Sequence, residues 1–269
     1  MTTVLDSIVH GVREDLAARK ATVSLAEIQD RVGAVSPAIN AAQRFAENAF
    51  NVIAEVKRAS PSKGHLAEIA NPAELAAQYE IGGAAAISVL TEARRFNGSL
   101  ADFDAVRAAV KTPLLRKDFM VDEYQFWEAR AHGADMILLI VASLSDAQLS
   151  EYFSLATTLG MTSLIEVHDE NELARALAIN PKIVGVNARN LKTLDVDLAT
   201  CHRLIPLIPS SIVGIAESGI TSTREVQELA NSGAHGVLVG EALVTGGTPA
   251  QTVQEWTLLG AAQRESRSA

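Results

Sequence analysis

Two charged residues at the end of an apolar run are the first that could carry chemistry. The run starts at Val52, and Glu55 and Lys57 stand two positions apart at its end. Side chains two positions apart in a β-strand point to the same face. Opposite charges on the interior face of a strand are costly unless they pair or take part in a reaction. A polar Ser-Pro-Ser-Lys-Gly loop follows, so we interpret the pair as one wall of an active site.

Polar side chains stand at the same end of four further apolar runs. In chain order they are Lys117 with Asp118, Glu166, Asn187 with Arg189, and Glu217 with Ser218. A single Lys or Glu at a strand end is often only ion-paired. Because the carboxyl ends of parallel strands meet at one rim of a barrel, five such endings predict a catalytic rim.

We expect Arg116 and Asp118 to point away from the barrel interior. His65 and His168 are interpreted as non-ligands, since neither has a metal-ligand partner at suitable spacing, and no metal is predicted.

Two glycines indicate a phosphate site at the same rim. Gly219 follows the seventh run and Gly240 ends the eighth, with a short helix expected near Glu241. Glycine lets backbone amides approach an anion, and a helix amino terminus favours negative charge. Barrel enzymes often bind phosphate at the loops after strands seven and eight. A glycine at a turn can also be only a turn, so both interpretations stay open here.

The elements that position these residues form a repeating unit of strand, polar loop and amphipathic helix. Strands are predicted at 52–57, 85–90, 113–118, 136–142, 162–167, 183–188, 211–217 and 236–240. They are apolar on both faces, as buried parallel strands are. Eight units predict a closed (β/α)8 TIM barrel. An open doubly wound sheet is the alternative, but no G-x-G-x-x-G follows the first strand. We predict one barrel domain over residues 1–269.

Residues 1–50 are predicted to form a helical extension before the first strand. Apolar residues at three- to four-residue spacing indicate one buried helix face: Val4, Leu5, Ile8, Val12 and Leu16. Ser24 with Glu27 fits a capping box. Ser36 before Pro37 predicts another helix start. Farther along, Thr221 with Glu225 close behind predicts the start of the helix after strand seven.

Composition limits the classes of function. A net charge of −9 argues against a nucleic-acid or anionic-membrane surface. The single cysteine, Cys201, leaves no internal disulfide and is expected to be buried. No apolar run approaches the roughly 18 residues of a membrane span, and the amino terminus does not resemble a signal peptide. These features predict a cytoplasmic protein. The glycine-rich strand ends, rather than composition, indicate a small phosphorylated ligand, and we expect a monomer or weak homo-oligomer.

Six motifs together resemble the indole-3-glycerol phosphate synthase family. In order over residues 53–243 they are I-A-E-V-K-R-A-S-P-S-K-G, P-L-L-R-K-D-F, L-I-E-V-H, G-V-N-A-R-N-L, A-E-S-G-I and V-L-V-G-E-A-L. The first motif and R-K-D-F are specific to this family, whereas the glycine-rich endings are shared by many phosphate-binding barrels. The resemblance implies a carboxy-lyase of tryptophan biosynthesis without a cofactor. Its reaction closes the ring of 1-(2-carboxyphenylamino)-1-deoxyribulose 5-phosphate and releases carbon dioxide and water.

The resemblance also implies roles for the rim residues. Lys117 would protonate the substrate ketone, Glu166 would assist the later proton removal, and Glu55 would position or share that task. Lys57 would hold a carboxylate or phosphate and help proton transfer. Asn187 would orient the substrate. The implied binding residues are Ser60, Phe119, Arg189, Glu217, Ser218, Gly219 and Gly240.

A Lys–Glu rim suits such a reaction, since ring closure needs an acid and elimination needs a base. We also predict that loop 58–71 closes over the substrate and that the Glu241 carboxylate points outward. Other phosphosugar barrels, such as a phosphoribosylanthranilate isomerase or a Schiff-base lyase, are alternatives. A non-catalytic barrel that binds a phosphorylated metabolite is a third.

Overall fold

Eight parallel strands close into a barrel in which each strand pairs with its neighbour along the chain, and the last pairs with the first. The computed structural model describes residues 3–268, and side chains of residues 3–266. The strands are β1 (Asn51–Val56), β2 (Ala86–Leu90), β3 (Leu114–Lys117), β4 (Met136–Ile140), β5 (Thr162–Val167), β6 (Ile183–Asn187), β7 (Val213–Glu217) and β8 (Gly236–Val239). The predicted (β/α)8 barrel is confirmed, and the predicted strand bounds differ from the observed ones by at most two residues.

Side chains alternate along each strand between the barrel interior and the surrounding helices. In β1, Ile53 packs in the interior, whereas Val52 and Ala54 pack in the cluster outside the strands. The interior cluster is apolar and includes Ile53, Leu115, Met136, Leu138, Leu164, Ile183, Ile215 and Leu238. Two positions after Ile53, Leu115, Leu164 and Ile215, the sequence has Glu55, Lys117, Glu166 and Glu217. The interior therefore changes from apolar to charged at the carboxyl ends.

Thirteen α-helices are assigned in residues 3–268. They are α1 (Val4–Thr22), α2 (Leu25–Val32), α3 (Ala41–Glu47), α4 (Pro72–Ile81), α5 (Ala93–Phe96), α6 (Leu100–Ala109), α7 (Glu123–Ala131), α8 (Asp146–Thr158), α9 (Glu170–Ala178), α10 (Ala199–Leu204), α11 (Thr223–Asn231), α12 (Glu241–Thr245) and α13 (Pro249–Ser268). Short 3₁₀ turns cover Val141–Ser143 and Ile205–Leu207. Among these helices, none is both long and apolar enough to cross a membrane.

Helix caps follow the sequence signals with two exceptions. Ser24 caps α2 in a capping box with Glu27, as predicted. The predicted start at Ser36 is wrong, because residues 36–40 are not helical and α3 begins after Asn40. The start predicted at Thr221 is one residue early, since Ser222 is the N-cap of α11 and Thr221 only adds a hydrogen bond to Glu225.

The amino-terminal extension reaches both openings of the barrel. Ile8 on α1 lines the cavity at the carboxyl ends of the strands. At the opposite end, the backbone N–H of Ala42 in α3 donates to Oγ1 of Thr162, the first residue of β5. Phe45 of α3 is buried in the interior cluster, and its carbonyl accepts from Asn51 at the start of β1. One segment of chain thus contacts the barrel at both openings.

Arg116 points away from the barrel interior, as predicted, into a buried polar network between β3 and α7. Its side chain is 1% exposed and forms ion pairs with Asp118 and Glu128. It also donates to Oγ1 of Thr91 and to the carbonyl oxygen of Gln125. Because each charge has partners, the network fixes β3 against α7 without an isolated buried charge.

Candidate active site

A cavity of about 490 Å³ opens at the carboxyl ends of the barrel strands. Every site residue predicted from the sequence lines it: Glu55, Lys57, Ser60, Lys117, Phe119, Glu166, Asn187, Arg189, Glu217, Ser218, Gly219 and Gly240. The expected convergence of strand ends at one rim is therefore observed. The cavity is also lined by residues that sequence patterns did not indicate, described below.

Glu55 and Lys57 form an ion pair at the base of the cavity. Nζ of Lys57 lies 3.0 Å from Oε1 of Glu55. The second carboxylate oxygen of Glu55 accepts a hydrogen bond from Ser88 at 3.2 Å. Burial would raise the pKa of Glu55, but Lys57 and Lys117 outweigh it and hold the pKa below its ordinary value. Glu55 is therefore an ionised carboxylate held between partners.

Lys117 lies between two carboxylates in the barrel interior. Its Nζ is 4.0 Å from Oε2 of Glu55 and 3.9 Å from Oε2 of Glu166. Burial would lower the pKa of Lys117, but the two carboxylates outweigh it and the pKa lies above its ordinary value. The distances leave the ammonium without a tight hydrogen bond to either carboxylate. A charged, loosely held ammonium is suited to donate a proton or hydrogen bond to a substrate oxygen.

Glu217 is the third buried carboxyl group of the interior. It is 1% exposed, and neither carboxyl oxygen has a hydrogen-bond partner among the described residues. Burial and the nearby charge of Glu166 raise the pKa of Glu217 well above its ordinary value. Two carboxylates close together in a buried site repel each other, which favours the charged form of Glu166 over that of Glu217.

His168 contacts Glu166, an arrangement that the sequence interpretation missed. Nε2 of His168 lies 3.4 Å from Oε1 of Glu166, and Nδ1 lies 2.9 Å from Oε2 of Glu172. The signal was present in L-I-E-V-H, because Glu166 and His168 stand two positions apart as Glu55 and Lys57 do. The histidine was considered only as a metal ligand, and its carboxylate partner was overlooked.

Asn187 and Arg189 connect the rim to the loop after β1. The amide oxygen of Asn187 accepts a hydrogen bond from the backbone N–H of Arg189 at 2.9 Å. The guanidinium of Arg189 donates to Oγ of Ser62 and to the carbonyl oxygen of Leu194, each at 2.9 Å. Arg189 thus holds the loop residue Ser62 at the edge of the cavity.

The predicted phosphate end lies where β7 and β8 finish. Ser218 and Gly219 both have positive φ, 67° and 76°, which turns the backbone sharply after β7. A Cβ on Gly219 would lie 2.5 Å from Val196, and one on Gly240 would lie 2.9 Å from Oε1 of Glu55. Glycine at both positions therefore keeps side chains out of this end of the cavity.

A second ion pair crosses the mouth of the cavity. Nζ of Lys63, in the loop after β1, lies 2.5 Å from Oε1 of Glu241, the first residue of α12. The expected short helix near Glu241 is confirmed. The Glu241 carboxylate was expected to point outward; instead it lines the edge of the cavity and is paired with Lys63. Its charge is therefore partly neutralised on the phosphate side of the site.

Apolar side chains form the opposite wall. The ring of Phe119 lies 6.2 Å, centroid to centroid, from that of Phe96 in α5. Ile8 of α1 and Leu191 also line this wall. Sequence patterns did not identify Phe96 or Ile8, because both reach the cavity from elements outside the strands. The cavity thus has an apolar wall, a charged base and a glycine-rich end.

Residues 5–256 match the family described as indole-3-glycerol phosphate synthase. The indole-3-glycerol phosphate synthase of Paenarthrobacter aurescens (strain TC1) is 57% identical over 265 residues, which cover 97% of each chain. The protein of the same name from Rhodococcus opacus (strain B4) is 56% identical over 259 residues, covering 96% of each chain.

A more distant likeness concerns the fold alone. A solved structure described as thiamine phosphate pyrophosphorylase from Pyrococcus furiosus aligns with a TM-score of 0.60 at 15% identity. The alignment covers 80% of this chain and 98% of that chain. This likeness supports the barrel architecture and carries no inference about chemistry.

Proposed function

This chain belongs to the indole-3-glycerol phosphate synthase family, and from that premise we propose that it converts 1-(2-carboxyphenylamino)-1-deoxyribulose 5-phosphate to indole-3-glycerol phosphate. Carbon dioxide and water are released in this step of tryptophan biosynthesis. The observation that carries the proposal is the charged Lys117 between Glu55 and Glu166 at the base of a part-apolar cavity.

Lys117 is the general acid of ring closure in this proposal. Its ammonium donates a proton to the substrate ketone oxygen while the aryl carbon attacks the carbonyl carbon. Two observations support the role: the carboxylates keep Lys117 charged, and its Nζ is close to 4 Å from each of them. A correctly placed proton-transfer group contributes about 10²–10⁴-fold to the rate.

The carboxylates serve the later steps. Glu166 is ionised and takes part in removing the proton that restores the aromatic ring, and Glu55 shares or positions that transfer. Lys57, held by Glu55, contacts a substrate carboxylate or phosphate oxygen and helps proton transfer as water leaves. Asn187 orients the substrate. The charge assignments support these roles, because Glu55 and Glu166 both have pKa values below the ordinary range.

Substrate binding divides between the two sides of the cavity. We assign the aromatic ring to the apolar wall with Phe119. The anionic groups are assigned to Arg189, Ser60, Ser218 and the backbone near the glycines at 219 and 240. The raised pKa of Glu217 favours a protonated carboxyl group, which can donate a hydrogen bond to the substrate. Decarboxylation favours a site with little water, because desolvation disfavours the carboxylate that is lost.

The direct test is to incubate the protein with the ribulose phosphate substrate and to follow indole fluorescence. We expect turnover by the wild type, and a loss of several orders of magnitude in Lys117→Ala with binding of the anionic product retained. Survival of turnover in this variant would exclude Lys117 as the acid. Arg95→Ala, which removes a rim-side contact with Ser7 outside the cavity lining, is the matched control.

Three further measurements distinguish the alternative activities. A Schiff-base lyase would be trapped covalently on Lys57 or Lys117 by borohydride. Imine formation requires a neutral amine, whereas the raised pKa of Lys117 favours its charged form. A phosphoribosylanthranilate isomerase would consume a different phosphosugar, and a non-catalytic barrel would bind product without turning over substrate.

Further predictions from the sequence accompany this proposal. The chain acts as one domain with residues 1–50 as an extension of the barrel. It works in the cytoplasm, where a biosynthetic enzyme would meet a small phosphorylated metabolite. It is a monomer or a weak homo-oligomer, and it uses neither a cofactor nor nucleic acid.

A further inference from the structure

His168 is held between two carboxylates on different elements. Nδ1 lies 2.9 Å from Oε2 of Glu172 in α9, and Nε2 lies 3.4 Å from Oε1 of Glu166 in β5. Nε2 is buried and has no aligned hydrogen bond within residues 3–266, so its contact with Glu166 is an ion pair. The imidazole therefore links the barrel interior to the first turn of a helix.

The outer partner, Glu172, has little freedom to move. The same Oε2 atom that contacts the imidazole also accepts the backbone N–H of His168 at 2.9 Å. The backbone N–H of Glu172 in turn donates to Asp169, the N-cap of α9, at 2.8 Å. The start of α9 thus fixes the Glu172 carboxylate, which fixes the orientation of the imidazole ring.

Electrostatics favours a charged imidazole at neutral pH. Burial would lower the pKa of His168, but the two carboxylates outweigh it and raise the pKa to about 10. Burial would likewise raise the pKa of Glu166, but His168 and Lys117 lower it to about 2. The titratable groups that face His168 are Glu166 from β5 and Glu172 from α9.

The charge on His168 bears on the neighbouring carboxyl group as well. Glu166 and Glu217 share the buried interior, because Gly185, the register partner of Glu166, lies beside the Glu217 carboxyl group. Burial and the charge of Glu166 raise the pKa of Glu217. Nε2 of His168 lies 3.4 Å from Glu166, whereas neither carboxyl oxygen of Glu217 has a hydrogen-bond partner within the described side chains. A cation on one side of the pair decides which member keeps the proton.

We propose that His168 is a positioning residue that stays an imidazolium and thereby keeps Glu166, rather than Glu217, ionised for proton removal. His168 is not among the residues that line the cavity, so it would act through Glu166. Glu172 is the anchor that holds the imidazolium in place. The inference rests on the proposed function, because it concerns the charge of a group assigned to that reaction.

The test is the pH dependence of indole formation in His168→Asn. Without the imidazolium, the pKa of Glu166 rises and Glu166 competes with Glu217 for the shared proton. The acid limb of the pH profile of kcat therefore moves to higher pH. Below the new limb, kcat falls about tenfold per pH unit, and it returns toward the wild-type value at high pH. KM for the substrate stays nearly unchanged. Glu172→Gln shifts the limb in the same direction by a smaller amount.

The matched control is His132→Asn. His132 pairs with Asp104 at 2.6 Å on the outside of the barrel, and neither residue lines the active-site cavity. We expect no shift of the acid limb in this variant. A uniform loss of kcat at every pH in His168→Asn, with the limb unmoved, would show a merely structural role and overturn the proposal.

A measurement on the wild type separates this inference from the proposed function. NMR titration of the imidazole resonances, assigned by comparison with His168→Asn, should show His168 protonated through pH 8. Titration near 6.5, the ordinary value for histidine, would overturn the proposal even if the enzyme is active. Absence of indole formation in the wild type would overturn the proposed function, and the NMR result would still decide the charge of His168.

Discussion

The carboxyl group of Glu217 occupies the space beside the Cα atom of Gly185 on the neighbouring strand. A Cβ atom on Gly185 would lie 1.8 Å from Oε1 of Glu217 and 3.2 Å from Cδ1 of Leu164. The interior-facing residues of β6 are thus Ile183, Gly185 and Asn187. The space left by the missing side chain of Gly185 is filled by the Glu217 side chain from β7. The size of residue 185 therefore controls the position of a buried acid.

Gly185→Ala should displace Glu217 and lower turnover. Overpacking of a filled interior typically costs about 1–3 kcal/mol, so we expect a folded but less stable protein. Indole fluorescence and thermal unfolding measure the two effects. Gly214→Ala is the control, because its Cβ would meet only Ile208 and His235, outside the barrel interior, at 3.1 Å or more. Equal activity in the two variants would contradict a role for the gap.

Glu217→Gln should stabilise the protein increasingly as the pH rises. The pKa of Glu217 is raised in the folded state, so unfolding releases its proton above the unfolded value of about 4.3. Stability is therefore complete below that pH and declines above it, by up to about 1.4 kcal/mol per pH unit. Glutamine is neutral at all pH and avoids this loss. The unfolding midpoint of the variant should exceed that of the wild type by more at pH 8 than at pH 5.

Glu166→Gln should behave in the opposite way and serves as the comparison. The pKa of Glu166 is lowered to about 2, so its stabilising contribution is present above about 4.3 and is lost only as the pH falls toward 2. We expect a destabilisation of similar size at pH 5 and pH 8. A pH-independent effect for Glu217→Gln as well would mean that Glu217 is ionised in the folded protein.

Loop 58–71 should become protected when ligand binds. In the free protein it is held at the cavity edge by Lys63 with Glu241 and by Ser62 with Arg189. Lys63 is half exposed, and such ion pairs contribute about 0–1 kcal/mol, so the loop can open. Hydrogen exchange should slow in this loop with product bound and quicken in free Lys63→Ala. Lys20→Ala, which removes the ion pair with Asp122, is the control. Equal hydrogen-exchange rates in this loop with and without bound product would contradict loop closure.

Ile8→Ala should weaken substrate binding although Ile8 lies outside the barrel strands. The side chain is 2% exposed and lines the cavity. Removing a buried isoleucine side chain typically costs about 2–5 kcal/mol of stability. Leu16→Ala is matched, because Leu16 is buried on the same helix but packs with Ile28 and Tyr124, away from the cavity. Both variants should lose stability, and only Ile8→Ala should raise KM.

The sequence predicted the parts of the site that depend on strand periodicity. Glu55, Lys117, Glu166 and Glu217 all lie where alternation along a parallel strand puts them, at the carboxyl end of the interior row. Periodicity is a local property, so it can be read from single strands. Their convergence follows from the closed order of the barrel.

The errors arose where distant contacts decide local structure. Residues 36–40 are not helical, because the carbonyl of Ser36 accepts from Arg130 and the N–H of Ile39 donates to Asp135 at 2.7 Å. These bonds to elements about 95 residues away replace the helix that Ser36 and Pro37 would otherwise start. Phe96 lines the cavity for the same reason, although sequence patterns did not indicate it. Contacts with residues distant in the sequence orient α5.

Because the amino-terminal extension contacts both openings of the barrel, residues outside the strands contribute to the lining of the active site. Substitutions on α1 change the surroundings of the substrate while every strand, and the closed hydrogen-bond circuit that the strands form, stays the same. Substitutions on α3 change only the far opening. The surroundings of the substrate can therefore change through one helix of the extension while the strands that carry the catalytic residues stay the same.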